Sequence, residues 1–258
     1  MGILNVTPDS FSDGGLHQDL GRAVAAGLRM IEDGAAILDI GGESTRPGAE
    51  PTSPDEERRR ILPVIMALAS AGVPLSVDTR NADTMAAALD AGASIVNDVS
   101  ALSHDPRAVA LVAARGCPVV LMHMRGTPAT MTGLAQYGDV AAEVLAELSV
   151  RVFNAEAAGV SRASIAVDPG IGFAKTPEGS IASLRGLAAL RTLGCPILVG
   201  VSRKGFIGQL SGVPDPAGRM AGSIAAGLYA LLQGASILRV HDVAATVQAV
   251  RVWQGLTS

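Results

Sequence analysis

The chain is poor in aromatic residues, cysteine and charge. Only 3% of its 258 residues are Phe, Tyr or Trp and 17% are charged, whereas 48% are hydrophobic. This balance favours a large buried core and few solvating tails. The net charge of −4 excludes the basic surface by which proteins bind nucleic acid, so we expect no nucleic-acid partner.

Long apolar runs are lacking as well. No run approaches the ~18 apolar residues of a membrane span, and the first residues do not show a basic stretch followed by an apolar one. The sequence therefore predicts neither a membrane partner nor a signal peptide. Cys117 and Cys195 are too few for a disulfide framework or a zinc site. We interpret them as reduced structural cysteines of a cytoplasmic protein.

What the chain does contain is eight short apolar runs separated by helical stretches. The runs are MGILNV, AILDIGG, PLSVD, SIVND, PVVLMH, SIAVD, PILVGVS and SILRVH. Eight strand-then-helix units predict the α/β class and a single TIM (β/α)8 barrel over residues 1–258. In that fold the carboxyl ends of the strands form the active-site rim, where we expect Asn5, Asp39, Asp78, Asn97, His123, Asp168, Ser202, Lys204, Arg239 and His241.

A weak internal repeat supports the barrel. DGAAILDI, AGASIVND and QGASILRV align Asp39, Asn97 and Arg239. Side chains alternate along a strand, so these three should point the same way, into the barrel mouth. Each copy also begins with a glycine that would end the preceding helix in a left-handed cap; these glycines are Gly34, Gly92 and Gly234.

Taken in order, the motifs at the strand ends resemble the dihydropteroate synthase family. They are GILNVTPDSFSDGG, DIGGESTRPGA, VDTR, NDVS, LMHMRGTP, DPGIGF, SRKGFIG and RVHDV, and they run from Gly2 to about Val252. The resemblance implies a transferase of folate biosynthesis that is a sulfonamide target. It condenses 6-hydroxymethyl-7,8-dihydropterin pyrophosphate with p-aminobenzoate, using Mg2+, and yields 7,8-dihydropteroate and pyrophosphate. It also implies a homodimer through the later helices.

Four residues are candidates for holding the pterin ring. A pterin presents N–H groups on one edge that a buried carboxylate accepts in bidentate geometry. By resemblance Asp168 is that carboxylate, Asp78 and Asn97 bind the other ring nitrogens, and Lys204 donates to the ring. From the residues alone, Asp78 could instead cap the helix that follows it, and Asp168 could be a turn residue before a Pro-Gly pair.

The diphosphate requires positive charge and a metal ion. Arg239 and His241 follow strand eight, where barrels commonly place a phosphate site, although Arg239 could also pair with Asp39. Asn5 offers a neutral oxygen to Mg2+, which keeps several waters and also binds substrate phosphates. A lone histidine is more often structural, so His123 stays outside the predicted catalytic set. That set is Lys204, Asp78, Arg239 and His241.

The p-aminobenzoate pocket is assigned by resemblance alone. The residues that match the family there are Thr45, Arg46, Pro47, Phe173 and Ser202. Two alternatives share the pterin site. A pterin-dependent methyltransferase domain should lack the VTPDSF, STRPG and SRK motifs, and a non-catalytic paralogue should have lost Arg46, Lys204 or His241. All of these features are present.

The stretch 218–234 favours a dimer from its composition. It carries almost no charge beyond Arg219, so its outer face is expected to be apolar and covered by a partner. The alternative is close packing of its small residues onto the strands, and the pattern alone leaves both open.

Overall fold

A computed structural model describes residues 1–7, 15–45 and 48–257, and eight parallel strands alternate with helices along them. The strands are β1 (Gly2–Asn5), β2 (Leu38–Gly41), β3 (Leu75–Asp78), β4 (Ile95–Asp98), β5 (Val119–Met122), β6 (Ile165–Asp168), β7 (Leu198–Val199) and β8 (Ile237–Leu238). The helices are α1 (Gly15–Glu32), α2 (Pro54–Leu68), α3 (Ala82–Asp90), α4 (Ala108–Arg115), α5 (Val140–Ala157), α6 (Pro177–Arg185), α7 (Gly205–Ser211), α8 (Met220–Leu232) and α9 (Val243–Thr257). Short 3₁₀ segments cover Met131–Leu134, Arg162–Ser164, Leu187–Leu193 and Pro216–Arg219.

Parallel pairing carries the strands around a closed ring. β1 to β6 form one sheet in chain order, and β7 pairs with β8. Two further parallel bridges, Val167 with Ile197 and Gly2 with Val240, join these sheets at both edges. The Ile3 amide donates to the Val240 carbonyl at 2.9 Å across the second junction. The predicted TIM barrel is confirmed.

The last two strands are shorter than their apolar runs predict. PILVGVS and SILRVH suggest full strands, but β7 and β8 have two residues each. The chain turns soon after β7, where the Lys204 amide donates to the Val201 carbonyl at 3.2 Å and Arg203 has φ of +60°. Ser202 and His241 therefore lie on loops beyond the strands.

The core consists of aliphatic side chains on both sides of the strand ring. Leu38, Ile40, Leu121 and Ile165 are among the largest side chains that are fully buried, as expected of parallel strands covered by helices. Both cysteines are free thiols and buried. The predicted left-handed caps are confirmed, with φ of +97°, +115° and +102° at Gly34, Gly92 and Gly234. Among the described helices, none has the length and apolar character to cross a membrane.

The strand register brings predicted site residues to one level. Asn5 pairs with Gly41, Gly41 with Asp78, and Asp78 with Asn97. A Cβ at Gly41 would lie 3.3 Å from the Asp78 Cβ, tighter than an ordinary contact, so glycine leaves room for that carboxylate. Three side chains from β1, β3 and β4 thus start from the same layer of the barrel mouth.

Candidate active site

A network centred on Arg239 occupies the mouth of the barrel. Its Nε donates to Asp39 Oδ2 at 2.6 Å and its Nη2 to Asp78 Oδ2 at 2.6 Å. Asn97 Nδ2 donates to the same Asp39 oxygen at 2.9 Å. The predicted ion pair of Arg239 with Asp39 and the shared orientation of the repeat residues are confirmed. A guanidinium has five N–H donors, so these two bonds do not exhaust it.

Asp78 does not cap the helix that follows it. The N-cap of α3 is Asn81, which makes no side-chain cap bond, and the Asp78 carboxylate turns to Arg239 instead. The capping alternative is therefore wrong. Burial raises the pKa of Asp78, the Arg239 charge opposes that rise, and the neighbouring Asp39 adds to it. This carboxylate is held in place by an ion pair that crosses the barrel.

Asp168 ends β6 and is buried. Its Oδ1 accepts the Gly170 amide at 2.7 Å, so the turn role that the residues alone allowed is confirmed. Burial raises its pKa, while the Gly170 amide and the Lys204 charge oppose the rise. The bond orients a desolvated carboxylate, which suits it to a ligand that brings N–H donors of its own.

Lys204 and Phe173 come together although they lie on different loops. Lys204 Nζ is 4.3 Å from the centroid of the Phe173 ring, which is a cation–π contact. Burial lowers the pKa of Lys204 to about 8, and the Asp168 charge opposes this. The ammonium therefore lies against the aromatic side chain of the β6–α6 loop and within reach of the Asp168 charge.

His241 pairs with Ser202. Its Nδ1 lies 2.9 Å from Ser202 Oγ, and its amide donates to the same oxygen at 3.2 Å. Burial lowers the pKa of His241 to about 4, with the Arg203 and Arg239 charges adding to the effect. The imidazole is thus neutral at pH 7. Ser202, which the resemblance assigns to p-aminobenzoate, touches a residue of the predicted diphosphate group.

The second loop is only partly described. Thr45 is half-buried there, whereas Arg46 and Pro47 lie outside the described residues, as do positions 8–14 of the first loop. Glu43 holds the stem of the second loop through a buried ion pair with Arg80 at 3.0 Å. Glu43 also accepts the Thr52 amide at 3.1 Å.

Asn5 fits the way in which Mg2+ usually binds. No group of three His, Cys, Asp or Glu side chains that could hold a metal occurs in the part of the chain the structure describes. An all-protein cage is therefore absent from these residues. Mg2+ commonly takes one or two protein oxygens and completes its shell with water and substrate phosphates. The amide oxygen of Asn5, at the end of β1, is a donor of that kind.

The sequence reasoning missed a buried cluster beside the site. Lys175 is 8% exposed and bonds to His123, which in turn bonds to Glu147. One signal was available: of the 20 basic residues only two are lysines, Lys175 and Lys204. A second missed pair is Arg203 with Asp242, whose Nε–Oδ2 distance of 3.1 Å joins the loops after β7 and β8.

Residues 1–241 match the family model described as pterin binding enzyme. A dihydropteroate synthase of Synechocystis sp. is 48% identical over 257 residues, which are 99% of this chain and 89% of the relative. The chain belongs to the dihydropteroate synthase family. It is therefore a transferase of folate biosynthesis.

Solved structures of the family superpose closely on the chain. The Xanthomonas albilineans dihydropteroate synthase with 4-aminobenzoic acid is 51% identical, with a TM-score of 0.94, covering 100% of this chain and 92% of that one. A structure of the same organism's synthase in complex with 7,8-dihydropteroate is 48% identical, with a TM-score of 0.91 and the same coverage. The family barrel thus extends over the whole described chain.

Proposed function

We propose that the barrel mouth joins 6-hydroxymethyl-7,8-dihydropterin pyrophosphate to p-aminobenzoate, with the predicted site residues divided between the two substrates. The observation that carries this is the Arg239 network, which joins Asp39, Asp78 and Asn97 from three other strands through hydrogen bonds. In the reaction the bond from the pterin methylene carbon to the diphosphate oxygen breaks. A bond forms to the aniline nitrogen, which loses a proton.

The pterin ring is bound by the deeper residues. Asp168 accepts the N–H groups of the guanidine-like edge, while Asp78 and Asn97 meet the other ring nitrogens. Lys204 donates to a ring carbonyl or nitrogen. Loss of pyrophosphate leaves positive charge on the pterin, and the carboxylates of this layer favour that charge. Binding and stabilisation thus use the same side chains, of which Asp78, Asn97 and Asp168 are already held by hydrogen bonds.

The diphosphate lies toward β8, with Arg239 and His241. His241 is neutral when the site is free, so it can gain a proton as the anion arrives. Mg2+, held by Asn5 and the phosphates, would supply the charge that helps pyrophosphate to leave.

The p-aminobenzoate is placed by the loops above the pterin. Phe173 offers it an apolar face, and the family resemblance adds Ser202, Thr45, Arg46 and Pro47 as further contacts. The Xanthomonas relative whose structure contains 4-aminobenzoic acid supports this assignment of the substrate. The protein's task here is orientation of the aniline nitrogen toward the methylene carbon, since the reaction needs little from a protein base.

Two properties of the whole protein belong to the proposal. We place the enzyme in the cytoplasm, which agrees with two buried cysteines that are both free thiols. We also infer a homodimer through α8 and α9. On these helices Tyr229, Leu232, Val252 and Leu256 are exposed, and they offer apolar area that a partner's helices would cover.

A pyrophosphate-release assay tests the activity. Release should require both substrates and Mg2+, and dihydropteroate should appear in equal amount. Pterin binding without any release would instead indicate a non-catalytic pterin-binding protein. Full activity after chelation of Mg2+ would show that the reaction does not need the metal ion that Asn5 is proposed to bind.

A further inference from the structure

A buried chain of hydrogen bonds leads from the β6–α6 loop to α5. Lys175 Nζ lies 2.9 Å from His123 Nδ1, 3.0 Å from the Gly170 carbonyl oxygen and 3.1 Å from the Phe173 carbonyl oxygen. An ammonium has three N–H donors, and these bonds use all of them. His123 Nδ1 is then an acceptor, so the ring proton is on Nε2, which faces Glu147 Oε2 at 3.0 Å.

The far end of this chain is firmly anchored. Arg125 Nε donates to Glu147 Oε1 at 3.0 Å, and its Nη2 donates to Glu143 Oε2 at 2.7 Å. The guanidinium carbon lies 3.9 Å from the centroid of the Tyr137 ring. Glu143 and Glu147 are both on α5, so the lysine is connected to a helix of the barrel wall.

The loop that Lys175 holds has a strained backbone. Gly170, Gly172 and Ala174 have φ of +64°, +81° and +45°. Left-handed conformations persist in a non-glycine residue only where the surroundings enforce them. The Gly170 peptide is fixed on both sides, since its amide donates to Asp168 Oδ1 and its carbonyl accepts from Lys175.

Packing alone does not explain a lysine at this position. Burial lowers the pKa of Lys175 to about 7; Asp168 and Glu147 oppose this, whereas Lys204 and Arg125 add to it. A buried ammonium costs stability that an aliphatic side chain would not. The chain otherwise uses arginine for nearly all of its positive charge. The three acceptors converge on one nitrogen, which suits a compact ammonium, whereas a guanidinium spreads its donors over a wider plane.

We propose that Lys175, oriented by His123 and Glu147, is a positioning residue that fixes the segment 169–176 so that Phe173 stays against Lys204. This rests on the proposed function in one respect, namely that Phe173 contacts p-aminobenzoate. The Gly170 amide of this segment also donates to Asp168 Oδ1, but the backbone of Asp168 is held by its pairing with Met122 of β5. The effect of losing the lysine should therefore be larger on the aminobenzoate side of the reaction than on the pterin side.

Steady-state kinetics of Lys175→Met provide the first test. The variant keeps the aliphatic length and removes the three donors. We expect kcat/KM for p-aminobenzoate to fall about 100-fold, as misplacement of a substrate contact does. The KM for pterin pyrophosphate should rise far less, because β6 still holds the backbone of Asp168 even if the bond from the Gly170 amide loosens. Equal losses for both substrates, or wild-type kinetics, would overturn the proposal.

Hydrogen exchange gives a readout that does not depend on activity. In Lys175→Met the amides of residues 170–173 should exchange at least about ten-fold faster than in wild type, while those of α3 and β4 are unchanged. Unchanged protection of the segment would overturn the proposal. If the wild-type enzyme formed no dihydropteroate, the proposed function would fail, and this measurement would still decide the role of Lys175.

A second variant decides the matter if Lys175→Met does not fold. Glu147→Gln removes the negative charge at the far end of this series of hydrogen bonds. We expect kcat/KM for p-aminobenzoate to fall about five-fold, which corresponds to the contribution of one hydrogen bond. Glu156→Gln is the matched control, since Glu156 is also on α5 and pairs with Arg162. An equal effect of both substitutions would show that the loss is general and would overturn the proposal.

Discussion

At the residue scale, the proposed binding of the pterin ring by Asp168 can be tested with one substitution. The substitution Asp168→Asn keeps the bond to the Gly170 amide available but removes the charge, so it should weaken pterin binding by about 2–5 kcal/mol. Calorimetric titration with the pterin substrate measures this. Asp215→Asn is the control, since exposed Asp215 also accepts an amide two residues on, from Ala217 at 3.0 Å. If Asp168→Asn binds the pterin substrate with wild-type affinity, Asp168 is not part of the pterin site.

His241 gives a prediction that depends on pH. Its pKa is about 4 in the free protein because of burial and the nearby Arg203 and Arg239, and a bound anion should raise it. Pyrophosphate binding near pH ~5.5 should therefore be accompanied by proton uptake. Calorimetry in buffers of different ionisation enthalpy should show less uptake and weaker binding in His241→Ala.

The same titrations in His104→Ala, which changes an exposed histidine, should match wild type. Affinity for bare 6-hydroxymethylpterin should be unchanged in His241→Ala. Equal losses for pyrophosphate and pterin would contradict the assignment of His241 to the diphosphate.

At the scale of elements, the contact of β5 with the β6–α6 loop depends on one glycine. A Cβ at Gly170 would lie 1.9 Å from the His123 carbonyl oxygen, so Gly170→Ala forces the loop away from β5. Gly212 has a similar φ of +72° but open space around it. Gly212→Ala should lower the free energy of unfolding by about 1–2 kcal/mol, the cost of a left-handed backbone in a non-glycine residue. Gly170→Ala should lower it by clearly more. Urea unfolding measures both.

Activity separates the two glycine variants further. Gly170→Ala should lose most of its dihydropteroate synthesis, because the loop carries Phe173 and is bonded to Asp168. Gly212→Ala should retain wild-type kcat/KM at a temperature where it is folded. Equal stability and activity of the two variants would mean that the close approach at Gly170 does not shape the site.

At the scale of the whole molecule, the proposed homodimer can be tested by measuring the mass of the protein in solution. Sedimentation at micromolar concentration should give twice the chain mass of 26.1 kDa. Leu232→Glu, on the exposed face of α8, should raise the dimer dissociation constant at least about ten-fold. Phe153→Glu on α5, equally exposed, should leave it unchanged. A 26.1 kDa species for wild type across the range would defeat the dimer.

The sequence by itself determined the barrel and which polar residues follow its strands. Eight apolar runs with polar ends specify eight parallel strands, and strand ends converge by the geometry of the fold. Left-handed caps at Gly34, Gly92 and Gly234 followed from a local rule about glycine. The family motifs then supplied roles for Asp168 and Lys204 that their local pattern could not.

Only the tertiary structure decided which partners these residues have. Arg239 reaches Asp78 across 161 positions because closure of the ring joins β8 to β1, and Lys175 meets His123 across 52 because β6 pairs with β5. The same closure turned Asp78 toward Arg239 instead of the helix cap that its local sequence allowed. Long-range pairing leaves no periodic signal in the chain, since it depends on strand register around the whole barrel. The strand ends can be predicted from the local sequence, whereas the contacts between them form only in the closed barrel.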